Sequence, residues 1–188
     1  MTGDPGLMSG GWGDVPGDTA LSVYLPVADP LVRTGIPAHV TVLYPFLPLA
    51  RLTGAVRDEL AALVAGHAAF ELTLAEFRRY PGVLYLDPRP ADPLRELTRA
   101  VRERWPEAVP YRGIFGAAGL EPHLTVANHE GPATWETAYD ALEGELAPLL
   151  PLTAPVGHVD LIAWDGASWG LRERLPLGRA GTKSHRGR

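Results

Sequence analysis

The feature that most constrains this chain is a repeated tetrad. His-x-Thr-Val is written at 39–42 as HVTV and again at 123–126 as HLTV, 84 positions later (123 − 39). The surroundings repeat with it. Gly35 and Gly119 each stand four residues before the histidine, and Gly82 and Gly166 each stand 43 residues after it (82 − 39 and 166 − 123). Candidate helices begin about eleven residues after each histidine. A unit copied at fixed offset has to be read before any fold class is assigned, because one copy alone leaves an apolar face uncovered that the second must bury. The reading is an α+β fold of duplicated strand–helix–strand–strand lobes with pseudo-twofold symmetry around a central cleft. The first repeat spans about 36–88 and the second about 120–177, within a single bilobal domain at 19–178.

Local patterns supply the elements. TALSVYLPV and HVTVLYPF read as strands, rich in β-branched and aromatic residues and closed by prolines. In the segment 50–67, Leu52, Val56, Leu60, Leu63 and Val64 recur at helical steps. FELTLAEF and VLYLD are strands around the turn at Pro81-Gly82. Asp92 can cap a helix with Pro93 at its first position and an apolar stripe of Leu94, Leu97, Val101 and Trp105. In the second half HLTVAN is a strand. Thr134 can cap a helix striped by Trp135, Ala138, Leu142, Leu146 and Leu149, and PVGHVDLIAW and SWGLRERLPL are strands around DGAS. Residues 1–18, rich in Gly, Pro and Asp, read as a flexible leader, and 179–188 as a disordered basic tail.

Composition excludes several function classes. The 188 residues are 46% hydrophobic and 21% charged, the balance of a globular chain rather than a disordered one. A net charge of −5 disfavours tight, nonspecific binding to long nucleic acid, while leaving room for a small phosphate-bearing ligand. With no cysteine there is neither disulfide, thiolate nucleophile nor Cys-ligated zinc. No apolar run approaches a membrane span, and no signal peptide is evident, so a cytoplasmic, monomeric protein is expected.

The repeated tetrads carry the chemistry. Residues two apart on a strand share a face, so His39 projects with Thr41 and His123 with Thr125, while Val40, Val42, Leu124 and Val126 turn to the core. A pseudo-twofold axis brings two imidazoles and two hydroxyls into one cleft. That set suits a phosphodiester: one histidine takes a proton, the other delivers one to the leaving oxygen, and threonine hydroxyls donate to the nonbridging oxygens. No metal and no cofactor is called for, since neither motif has a neighbouring carboxylate or histidine at ligand spacing. His67, His129, His158 and His185 lack this context; His67 reads as structural at a helix C-terminus.

HVTVLYPF and PHLTVA together are similar to the motifs of the 2H phosphoesterase superfamily, and especially of its bacterial 2′-5′ RNA ligase-like branch, over roughly Thr19 to Leu177. The resemblance implies a bilobal α+β fold and metal-independent phosphodiester chemistry. The substrates it implies are 2′,3′-cyclic or 2′-5′-linked nucleotide or RNA phosphodiesters, with ligation of 2′-5′ linkages a lesser expectation. It makes His39 and His123 the acid/base pair and Thr41 and Thr125 the phosphate donors. By position, Tyr44, Tyr111, Arg112 and Phe115 are candidates for substrate binding, the aromatics by stacking on a base and Arg112 by pairing with a phosphate. The expected partner is a nucleotide or RNA terminus. The alternatives are a pathway-specific small-molecule phosphodiesterase or a silent nucleotide-binding module, and a silent member would be expected to have lost one of the four motif residues.

Overall fold

The computed structural model describes residues 13–116, 119–131 and 133–179; most of the predicted leader, the basic tail beyond 179 and His185 lie outside them. The elements run β1 (Thr19–Tyr24), β2 (His39–Leu43), α1 (Gly54–Ala65), β3 (Phe70–Tyr80), β4 (Val83–Arg89), α2 (Asp92–Arg104), β5 (Leu124–Ala127), α3 (Trp135–Leu146), β6 (Leu152–Val156), β7 (His158–Trp164) and β8 (Trp169–Pro176). Each follows from its sequence. Thr53 caps α1 by accepting a hydrogen bond from the Val56 amide. At α2 the cap position falls on Ala91, and Asp92, expected there, is instead the first helical residue beside Pro93. Thr134 precedes α3 and makes no side-chain cap bond. The expected strand at 155–164 divides at Gly157 into β6 and β7.

The strands form one antiparallel, curled sheet in the order β6-β3-β4-β5-β2-β1-β7-β8. Its middle is a seam: β2 and β5 pair antiparallel through Val40 and Leu124 alone. About that seam the order is symmetric, with four strands on each side. Each side mixes the two repeats. The β3–β4 hairpin of the first repeat flanks β5 of the second, and the β7–β8 hairpin of the second lies beyond β1 on the β2 side. The helices follow the same exchange. From the first repeat, α1 packs toward β8, whereas in α3 of the second the Tyr139 hydroxyl donates to the Gly82 carbonyl at the β3–β4 turn (2.8 Å).

The four glycines that matched across the repeat share one backbone conformation. Gly35 and Gly119 have φ of 76° and 75°, and Gly82 and Gly166 have 77° and 106°. This is the left-handed region, where a Cβ costs about 1–2 kcal/mol, so the repeated glycines mark turns that other residues would strain.

One apolar cluster joins the layers. Val40, Val42, Leu84, Leu86, Leu124 and Val126, from the sheet, meet Leu60, Val64, Leu94, Leu97 and Val101 from α1 and α2, all nearly inaccessible to solvent. Phe46, just after β2, packs edge-on against Trp105 at the end of α2 (5.2 Å between centroids). Burying one face of the sheet in this way leaves the opposite, odd-numbered side of β2, β4 and β5 open.

Candidate active site

On that open face His39, Thr41, His123, Thr125 and Tyr85 are all half-exposed, alternating with the buried valines and leucines. The Val40–Leu124 pair sets the register across the seam. Antiparallel counting by one residue from it places His39 opposite Thr125 and Thr41 opposite His123. Each histidine therefore stands beside the other motif's threonine, and the four polar groups occupy one patch.

The two imidazoles are held alike. His39 Nδ1 lies 2.8 Å from the Pro37 carbonyl and His123 Nδ1 lies 2.8 Å from the Glu121 carbonyl, each two residues upstream. A carbonyl only accepts, so each Nδ1 carries the hydrogen and each Nε2 is left with a lone pair directed away from its own loop. Burial lowers the pKa of both histidines from the usual 6.5, against the opposing pull of these carbonyls. A positive charge on His39 lowers that of His123 further.

Three tyrosines enclose this patch. Tyr80 and Tyr85 stack at 4.5 Å with 19° between their planes, and both meet His123 edge-on, at 5.7 and 5.5 Å. Tyr85 pairs across β4–β5 with Thr125. Burial raises the Tyr80 pKa, and its hydrogen bond to Tyr85 raises it further. Tyr111 stands beside Thr41 in the wall of the site, and burial pushes its pKa up to about 12 against the opposing effect of the Thr41 hydroxyl. Its position depends on strain: Tyr111 and Arg112 adopt φ of 48° and 52° in the turn Pro110–Gly113, a conformation costing of order 1–3 kcal/mol at each non-glycine residue. The Tyr111 amide is fastened to the Tyr44 carbonyl at 2.6 Å.

The remaining sequence candidates fall elsewhere. Tyr44 is buried and its hydroxyl bonds to Asp14. Arg112 donates to the Tyr44 hydroxyl at 3.0 Å and to Asp18 at 2.5 Å, with its guanidinium 5.6 Å from the Tyr44 ring centre. These two residues thus bind the stretch 13–18, the described end of the predicted leader, which is also fixed by Gly17 N–H to the Trp164 carbonyl (2.8 Å). Phe115 is exposed and packs edge-on against Tyr111 at 5.3 Å. Tyr80 and Tyr85 were missed by the sequence reading. Among the described residues no three His, Cys, Asp or Glu side chains gather as metal ligands would. Nor is any described helix long and apolar enough to cross a membrane.

The antiparallel sheet thus carries one His-x-Thr pair on each side of its central seam. The model of the 2′-5′ RNA ligase superfamily matches residues 26–168, and the chain belongs to that family. Solved structures similar to it include E. coli LigT complexed with NADP+ (TM-score 0.57, 18% identity, 87% of this chain and 99% of that one). LigT complexed with 3′-AMP is also similar (TM-score 0.57, 17% identity, the same coverage). TT0787 of Thermus thermophilus matches with a TM-score of 0.57 and 20% identity, over 87% of this chain and 100% of that one. No curated protein matches the sequence.

Proposed function

We propose that this protein is a metal-independent phosphodiesterase acting on 2′,3′-cyclic or 2′-5′-linked nucleotide phosphodiesters. The observation that carries the reading is the matched pair of histidines, each with Nδ1 tied to an upstream carbonyl and each beside the other motif's threonine. The NADP+, 3′-AMP and ATP complexes of LigT lend support, since proteins of this fold hold nucleotides.

For a cyclic phosphate the steps balance as follows. The Nε2 of one histidine takes a proton from water as the water oxygen bonds to phosphorus. The bond from phosphorus to one ribose oxygen breaks, and the Nε2 of the other histidine, protonated, gives its proton to that oxygen. Thr41 and Thr125 donate to the nonbridging oxygens, where negative charge accumulates. Tyr111 stands beside Thr41 in the wall of the site and borders the phosphate position. The stacked Tyr80–Tyr85 pair beside His123 offers an aromatic wall to the adjoining ribose or base, and Phe115 is a second, more exposed one. Tyr44 and Arg112 act at one remove, by holding the turn that carries Tyr111.

Phosphorus NMR of the protein with adenosine 2′,3′-cyclic phosphate and with a 2′-5′-linked dinucleotide tests this. Turnover that persists in excess chelator is expected, and the product's phosphate position identifies the bond broken. Activity that chelator abolishes and added metal restores would refute the metal-free mechanism. Nucleotide binding without any turnover would favour the silent binding module.

A further inference from the structure

Beyond its pairing with Leu124, the edge of β2 that faces β5 has no strand partner among the described residues. One of its carbonyls and the next one along the chain are taken by other elements: Thr98 Oγ1 donates to Val42 O (2.7 Å) and, just past the strand, the Tyr111 amide donates to Tyr44 O (2.6 Å). Between this edge, α2, Pro110–Tyr111 and Leu120–Pro122 lies a groove of about 490 Å3. Thr41 and Tyr111 stand in its wall, so it begins where the histidine site ends. Its far wall is α2, which contributes Arg95, Arg99 and Arg102. These are spaced by four and three residues and so share one helical face.

We infer that this groove is a second phosphate site, which takes a phosphate of the substrate other than the one being cleaved. The inference rests on the phosphodiesterase reading above. Three guanidiniums along one wall of a groove that opens at Thr41 present a row of forked donors, and Glu103 and Glu121 share the same lining. Carboxylates already meet guanidiniums of this row: Arg95 pairs with Glu121 (2.7 Å) and Asp92 (2.8 Å), and Arg99 with Glu103 (3.3 Å). These pairs are solvent-exposed, with 48–79% of each side chain accessible, and exposed pairs are weak. A phosphate offers the same fork a bidentate acceptor, more highly charged than a carboxylate when it is a terminal monophosphate, and takes the place of these exposed partners. The carboxylates then hold the guanidiniums in an extended geometry until substrate arrives. Arg95 has an added position: its partner Glu121 supplies the carbonyl that orients His123.

A substrate can bring a second phosphate in two ways, as a terminal monophosphate or as the next linkage of an oligonucleotide. Three compounds separate them: adenosine 2′,3′-cyclic phosphate, the same compound bearing a 5′-phosphate, and a diadenosine ending in a 2′,3′-cyclic phosphate. For the wild-type protein kcat/KM should be at least about tenfold higher for one or both of the two-phosphate compounds. Preference for the second compound assigns a terminal phosphate to the groove, and preference for the third assigns a backbone phosphate. In the Arg99→Ala/Arg102→Ala variant the ratio between two-phosphate and one-phosphate substrates should collapse toward one through KM. A ratio measured within one protein is insensitive to any loss of folded material. Equal turnover of all three compounds by the wild type, or a preference that survives in the variant, overturns the second site and leaves the catalytic reading standing. Turnover of none overturns both.

Discussion

At the scale of single residues the account depends on what each imidazole can do with its proton. His39→Ala and His123→Ala should each lower kcat/KM by about 10²–10⁴-fold, with unchanged far-UV circular dichroism. Thr41→Ala and Thr125→Ala should lose less, since a hydroxyl donor is removed and both proton carriers remain. Tyr111→Phe keeps the ring beside Thr41 and removes its hydroxyl; a loss of up to about tenfold in kcat/KM is expected, in line with one neutral hydrogen bond, and no loss at all would show that the hydroxyl takes no part. The four motif residues were legible because a strand has period two, which sends His and Thr to one face and the valines to the other. Tyr44 lies just beyond β2, outside the reach of that rule, and its ring is buried against the leader stretch with its hydroxyl bonded to Asp14. Tyr85 obeys the rule too, lying between buried Leu84 and Leu86. It was missed because nothing local says that β4 is the strand beside β5.

At the scale of elements the turn Pro110–Gly113 and the approach to β5 govern whether Thr41 and Tyr111 meet. A Cβ on Gly119 would stand 2.8 Å from Pro110 Cβ, whereas one on Gly35, of nearly the same φ, would meet nothing within 4 Å. Gly35→Ala should therefore cost about 1–2 kcal/mol, the backbone term alone. Gly119→Ala should cost measurably more in urea denaturation and also lower turnover, because the displaced turn carries Tyr111. Equal costs would mean that Pro110 yields freely. The helices and most strands could be read from apolar spacing and turn residues. The left-handed pair Tyr111–Arg112 could not, since neither is a residue type that favours that conformation and the compensating contacts, Tyr44 O and Asp18, come from remote positions.

At the scale of the whole molecule the duplication was visible in sequence, but the exchange of hairpins between the two sides of the sheet was not. Repetition records which units are alike, and the pairing of strands is decided by long-range contact. Because each side draws strands from both repeats, neither repeat encloses a core of its own. Unfolding should be a single transition, with tryptophan fluorescence and far-UV circular dichroism superimposing; two separated transitions would contradict the exchanged arrangement.

The claim that unites these scales is that two histidines on opposite sides of one seam divide the proton transfers between them. The pH dependence of kcat/KM tests it most directly. One histidine must be neutral and the other protonated, so the wild-type profile should be a bell. Both pKa values are lowered by burial, which places its maximum below the ordinary histidine value of 6.5. His39→Ala and His123→Ala should each abolish one limb of that bell, and the lost limbs should be opposite ones. A bell that survives in either variant, or the same limb lost in both, would contradict the paired mechanism.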